Sequence, residues 1–167
     1  MTEIQSDRLV LRQIREDDFA CLVAEIGDWE VAKWLARVPH PYTTRDAQSW
    51  LNTQSSEFSE LNIFKDKILI GGVGLTPSKC DNRFELGYWL GQSHWGQGYA
   101  TEAAQGLLAH ARDQWQVSKV KASFMKGNHA SAKVLEKLGF HAVGQGELFC
   151  LARNETVPCT LLELDLD

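Results

Sequence analysis

Between Glu85 and Ala104 the chain reads Glu-Leu-Gly-Tyr-Trp-Leu-Gly-Gln-Ser-His-Trp-Gly-Gln-Gly-Tyr-Ala-Thr-Glu-Ala-Ala, a run that few folds accommodate. Its first six residues suit a strand packed on both faces, and Gly96 and Gly98 punctuate a turn. Tyr99, Ala103, Ala104, Leu107, Leu108, Ala111 and Trp115 then recur at the three- and four-residue spacing of an amphipathic helix, with Glu102, Gln105, Arg112 and Asp113 between them. A strand that empties through glycines into a helix turns several backbone N–H groups toward one point at the helix's positive end. An anionic, phosphorylated ligand is the expected occupant.

Two common nucleotide motifs are excluded by what the turn lacks. There is no Gly-Lys-Ser/Thr ending, hence no lysine for a nucleoside triphosphate and no hydroxyl for magnesium. Thr101 stands where the dinucleotide fingerprint needs a third glycine for close helix packing.

With 167 residues, 44% of them hydrophobic, and no Pro/Gly/Ser-rich linker, residues 1–167 are expected to form a single domain with a full core. No apolar run approaches membrane-spanning length, so no membrane partner is expected. The segment from Met1 to Arg8 carries acids where a signal peptide needs basic and then apolar residues, so a cytoplasmic location is expected. Cys21, Cys80, Cys150 and Cys159 are widely spaced and expected to be reduced. His40, His94, His110, His129 and His141 form no ligand pair, so no metal is expected. A net charge of −5 without any Lys/Arg run argues against nucleic acid and tilts toward basic partners.

Along the chain, the segment from Arg8 to Ile14 reads as an opening strand, and Phe19 to Ile26 as a helix begun by Asp17 or Asp18. Asp28 caps a short helix expected to run through Trp34 and Leu35, and Thr43 or Thr44 caps a third helix through Trp50 and Leu51. A hairpin is expected around Lys65-Asp-Lys67, then a strand from Phe84 to Leu90. After the long helix come a strand from Lys119 to Phe124, a helix from about Ala130 to Leu138 stopped by Gly139, and two tail strands around Arg153-Asn-Glu155. This order predicts an α+β domain.

The order of elements, the Trp95-Gly-Gln-Gly-Tyr-Ala100 turn and the later Gly127-Asn-His-Ala-Ser-Ala-Lys-Val-Leu-Glu-Lys-Leu-Gly-Phe140 segment together resemble the GNAT superfamily of acetyl-CoA-dependent N-acetyltransferases. Arg8-Leu-Val-Leu-Arg12, Glu85-Leu-Gly-Tyr-Trp-Leu90 and Asn128-x-x-Ser131 look like the branch that includes ribosomal-protein alanine acetyltransferases of RimJ/RimL type. The resemblance spans nearly the whole chain. It implies a mixed, mostly antiparallel central sheet of about seven strands with helices on both faces.

By the same resemblance, Trp95, Gly96, Gln97, Gly98, Tyr99, Ala100 and Thr101 would hold the pyrophosphate of acetyl-CoA, chiefly through backbone amides. Family members usually carry Arg or Gln at the position of Trp95, so one side-chain contact to phosphate is absent here. Tyr88, Trp89 and Leu90 would line the pantetheine arm, which lies along the splayed strand like an added strand; as plain residue types, Tyr88 and Trp89 also suit a core. Asn128 would touch the coenzyme; a helix N-cap is the other account of it. Lys126 and Lys133 are read as surface lysines that could reach an adenosine phosphate.

Acetyl transfer to an amine needs a neutral nucleophile, a donor for the developing oxyanion and a proton for the departing thiolate. Neutralising a lysine amine of pKa ~10.4 at pH 7 costs roughly 4.6 kcal/mol, whereas an α-amine near 7.8 costs about 1 kcal/mol. Glu85 matches the strand position of a glutamate that serves some family members as base through water, with Glu147 a weaker rival. The family's usual tyrosine acid falls at Leu135, so Ser131 is the candidate acid; a first-turn serine near a cap is the other account of it. The backbone N–H of Leu90 is the candidate oxyanion donor. The implied acceptor is a small-molecule amine or a protein N-terminus, selected by the early helices and the loops from Asn52 to Leu61 and from Thr76 to Arg83. A non-catalytic acyl-CoA sensor is the alternative. The protein is expected to be a monomer or homodimer.

Overall fold

The computed structural model describes residues 2–54, 60–78, 81 and 83–167. Its strands are β1 (Glu3–Gln5), β2 (Val10–Arg12), β3 (Glu60–Lys65), β4 (Ile68–Pro77), β5 (Phe84–Leu90), β6 (Lys119–Met125), β7 (His141–Cys150) and β8 (Glu155–Asp165), and its helices are α1 (Phe19–Ile26), α2 (Trp29–Ala32), α3 (Thr44–Thr53), α4 (Tyr99–Trp115) and α5 (His129–Leu138). The strands join one sheet in the order β1-β2-β3-β4-β5-β6-β8-β7, in which the β5–β6 pairing is parallel and the rest antiparallel.

Local chemistry explains most boundaries. The β3–β4 hairpin turns at Asp66 (φ 50°) and Lys67 (φ 68°), both left-handed, the geometry that follows the twist of paired strands. Thr43 caps α3 reciprocally with Asp46: Thr43 Oγ1 accepts from the Asp46 N–H, and the Asp46 carboxylate accepts from the Thr43 N–H. Gly139 ends α5 at φ 92°, as expected of a left-handed cap.

Two expectations change. The opening strand is shorter than Arg8 to Ile14 and belongs to a hairpin, because the Ser6 N–H donates to the Leu9 carbonyl and brings β1 back against β2. The extra strand makes eight. Its single buried residue, Ile4, gives no readable period, yet it packs over Gly106 of α4, where an added Cβ would come 3.6 Å from Ile4 Cγ2. The second helix stops at Ala32, not Leu35, because the Trp34 and Leu35 N–H groups donate three residues back, to the Val31 and Ala32 carbonyls, in place of the four-residue reach of an α-helix; beyond them the Ala36 carbonyl accepts from the Leu151 N–H.

Alternation along the central strands divides the interior. Leu61, Ile63, Val73, Leu75, Leu86 and Leu90 pack with Leu107 of α4 and Leu135 of α5. On the other face, Phe64 and Leu69 meet Phe19, Leu22 and Ile26 of α1 and Ala47 of α3. Each fully buried leucine or isoleucine contributes on the order of 1.5–3 kcal/mol, so a register slip that exchanged the faces would be heavily penalised. Among the described residues no helix is long and apolar enough to cross a membrane.

Candidate functional site

The site begins where the parallel pair parts. β5 and β6 are in register only at Phe84↔Val120 and Glu85↔Lys121, while β5 stays paired with β4 along its whole length. The Gly91 N–H donates to the Ile70 carbonyl. Antiparallel ladders alternate, so Trp89 and Gly87 turn their backbone groups to β4 while Leu86, Tyr88 and Leu90 turn theirs to the gap facing β6. Of the three residues expected along the pantetheine arm, Tyr88 and Leu90 thus present backbone groups to the gap and Trp89 does not. The Trp89 side chain lies on the α1/α3 face, so close over Gly72 that a Cβ there would fall 2.4 Å from its Nε1.

At the open end of β5 the chain crosses the predicted turn. Trp95, 42% exposed, donates from its indole Nε1 to the Leu90 carbonyl at 2.9 Å and so anchors the turn to the strand. Gly96 (φ 73°) and Gly98 (φ 82°) are both left-handed, and Gly98 is the N-cap of α4 with no side-chain cap. Tyr99 and Ala100 are buried and pack into the main core. The Gln97 side chain accepts from the Tyr99 hydroxyl at 3.3 Å. First-turn N–H groups of a long helix without a capping side chain form an anion cradle.

Across the gap, Asn128 caps α5 by accepting from the Ser131 N–H at 3.3 Å. The Tyr88 hydroxyl, reaching from β5, lies 2.8 Å from Ser131 Oγ and donates to the Ser131 carbonyl at 3.1 Å. Burial pushes the Tyr88 hydroxyl up to about 12, partly offset by its bond to Ser131. The structure therefore brings Tyr88, Asn128 and Ser131 together. Leu135 is fully buried in the main core, and Lys126 and Lys133 are exposed.

Glu85 is exposed on the face opposite α4 and α5, between Thr76 of β4 and Lys121 of β6. Lys121 is taken by Asp81. Beside Glu85 on the same face, a Cβ added at Gly87 would meet nothing within 4 Å, so the carboxylate borders open space. Glu85 and Glu147 flank one thiol from two strands: burial first, then the negative charge of Glu85, with a smaller share from Glu147, raises the Cys159 pKa. Further along this face, Trp50 Nε1 and Thr76 Oγ1 donate to the Glu60 carboxylate at 2.6 and 3.5 Å beside a cavity of about 200 Å³. Of the loops expected to select the acceptor, residues 55–59, 79, 80 and 82 lie outside the described residues, Cys80 among them. Cys21, Cys150 and Cys159 are free thiols, and no cluster of metal-ligating side chains occurs among the described residues.

Sequence reasoning missed Arg8 and Glu102. Arg8 Nε pairs with the Glu102 carboxylate at 2.6 Å, and Arg8 Nη1 donates to the Gln97 carbonyl at 3.0 Å. They lie 94 positions apart, and nothing in a single sequence links them.

Residues 8–141 match the family model described as an acetyltransferase (GNAT) domain. The uncharacterized N-acetyltransferase p20 of Bacillus licheniformis is 30% identical over 152 residues, covering 86% of this chain and 85% of that protein. The crystal structure of a GNAT-family acetyltransferase from Bacillus anthracis is similar with a TM-score of 0.86 at 20% identity, over 99% of each chain. Mycobacterium smegmatis RimJ, solved in complex with CoA-disulfide, is similar with a TM-score of 0.80 at 19% identity, over 94% of this chain and 81% of that one.

Proposed function

The chain belongs to the GNAT acetyltransferase family, and from that premise we propose that it transfers an acetyl group from acetyl-CoA to a primary amine by direct attack in a ternary complex. The observation that carries the reading is the uncapped turn from Gly96 to Thr101 at the mouth of the β5–β6 gap. Such amides hold a pyrophosphate, and an open strand edge pairs with the amides of pantetheine. Asn128, at the facing helix end, is within the same reading a coenzyme contact through the side-chain amide that its capping bond leaves over.

In this mechanism the amine nitrogen attacks the thioester carbon while the Leu90 N–H receives the oxygen that becomes negative. Collapse breaks the carbon–sulfur bond. The Ser131 hydroxyl supplies the hydrogen bond, and then the proton, to the departing sulfur and is reprotonated from water; the Tyr88 hydroxyl, whose own proton goes to the Ser131 carbonyl, lies 2.8 Å behind Oγ and holds the serine side chain in place. Glu85, through water, takes the proton that the amine must lose. The acceptor approaches over the glycine-floored face beside Glu85. A protein N-terminal α-amine or a small-molecule amine meets these requirements, and the α-amine needs the least help from the base.

A second reading, a non-catalytic acyl-CoA sensor, is favoured by one observation: the position of the usual thiol acid, Leu135, is sealed in the core. Calorimetric titration of acetyl-CoA into the protein and into Gly98→Glu, followed by thiol release with a panel of amines, tests both. Saturable binding lost in the folded variant, with amine-dependent thiol release, supports the enzyme. Binding without turnover supports the sensor, and no binding by the native protein overturns both.

A further inference from the structure

The Arg8 side chain bridges two parts of the coenzyme turn. Nε lies 2.6 Å from Glu102 Oε2, Nη1 lies 3.0 Å from the Gln97 carbonyl, and the guanidinium stacks 4.6 Å from the centroid of the Tyr99 ring. Glu102 Oε1 also accepts from the Arg8 N–H at 2.8 Å and from Ser6 Oγ at 2.7 Å, while the Glu102 N–H donates to the Gly98 carbonyl at 3.0 Å. The β1–β2 turn, the first turn of α4 and the Gln97–Gly98 peptide are thereby closed into one ring of polar bonds.

We propose that Arg8 is a positioning residue for the coenzyme pyrophosphate, acting through the Gln97–Gly98 peptide and through neutralisation of Glu102. The first part follows from peptide planarity. In a trans peptide the carbonyl and the N–H point in opposite directions, so holding the Gln97 carbonyl against Arg8 turns the Gly98 N–H away from Arg8, toward the open side of the turn. Gly98 in the left-handed region has no side chain to resist a flip of that peptide, so an outside tether is needed to keep one orientation.

The second part is electrostatic. A glutamate in the first turn suits the helix dipole but repels an incoming anion. Arg8 cancels that charge at contact distance. It also brings, from the β1–β2 turn nearly ninety residues earlier, a cation to the Gln97 carbonyl within the turn.

The inference rests on the acetyl-CoA reading above, and the experiment separates the two. Binding of CoA and turnover with acetyl-CoA are compared with turnover of S-acetylpantetheine, which lacks the pyrophosphate, in the native protein, Arg8→Lys, Arg8→Ala and the double variant Arg8→Ala/Glu102→Gln. Arg8→Ala is expected to raise the Kd for CoA and the KM for acetyl-CoA roughly 10- to 100-fold, with kcat and the S-acetylpantetheine reaction within about threefold of native. The double variant is expected to recover part of the loss, because the uncompensated carboxylate is gone; Arg8→Lys keeps the charge without the fork and is expected to fall between. A native protein that binds no CoA overturns the acetyl-CoA reading itself. Native binding with Arg8→Ala unchanged for CoA, or equally impaired for both donors, overturns the positioning role alone. Circular dichroism and Tm of each variant establish that the fold is kept.

Discussion

The Tyr88 hydroxyl lies 2.8 Å from Ser131 Oγ, joining the strand that opens onto the β5–β6 gap to the first turn of the helix across it. The two residues are 43 positions apart, and each gives the other a partner that a half-buried hydroxyl requires.

If Ser131 is the acid for the departing thiolate, Ser131→Ala lowers kcat about a hundredfold or more with the KM for acetyl-CoA little changed. Tyr88→Phe keeps the serine proton but releases its orientation, and a smaller fall, about tenfold, is expected. Steady-state kinetics at saturating amine check both. An unchanged kcat in Ser131→Ala removes the serine from the mechanism.

Glu85→Gln is expected to depend on the acceptor. With a lysine-like amine, kcat/KM falls about a hundredfold, and with an α-amine by less than about tenfold, because the first must lose a proton held ~3 pH units above neutrality. Equal losses for both amines would show that the carboxylate binds the acceptor and does not act as base.

Gly98 at φ 82° makes a clean backbone test. Gly98→Ala is expected to lower stability by about 1–2 kcal/mol, the cost of a side chain in the left-handed region, as read from denaturant unfolding. No loss of stability would mean that the turn relaxes out of this conformation.

Alkaline pH should destabilise the protein through two of its tyrosines. Burial raises both Tyr88 and Tyr42 to about 12, against about 10 in an unfolded chain. The folded state therefore holds protons that the unfolded state releases, so stability is full below about pH 10 and declines as pH rises toward 12. Tyr88→Phe makes that decline shallower in Tm measured against pH; an unchanged slope would mean that the hydroxyl is solvated.

The acid side has its own marker. Burial pushes the Glu102 carboxyl up, but hydrogen bonds from Ser6 and from the Arg8 N–H and guanidinium outweigh it and hold the group below its usual range. That contribution is present above about pH 4 and is lost as pH falls through the depressed value. Glu102→Gln should flatten this acid limb of the Tm profile, and a limb of unchanged slope would assign it to other carboxylates such as Asp18, which is also lowered.

What sequence alone determined here is what is decided within a few residues. The Gly96–Gly98 turn, the Thr43–Asp46 cap, the Gly139 stop and the two-residue hairpin at Asp66 and Lys67 each depend on neighbouring backbone angles and short-range hydrogen bonds. The period of α4 likewise announced its buried face. Tertiary structure decided the rest, because it depends on register and on which distant segments meet. Three-residue β1 is a strand only by virtue of β2 and α4. The face shown by Glu85 and the edge shown by Leu90 follow from pairing with β4. Arg8 reaches the Gln97 carbonyl, and Tyr88 reaches Ser131, only because the sheet brings 89 and 43 residues of chain back on themselves, and such closures leave no periodic trace in a single sequence.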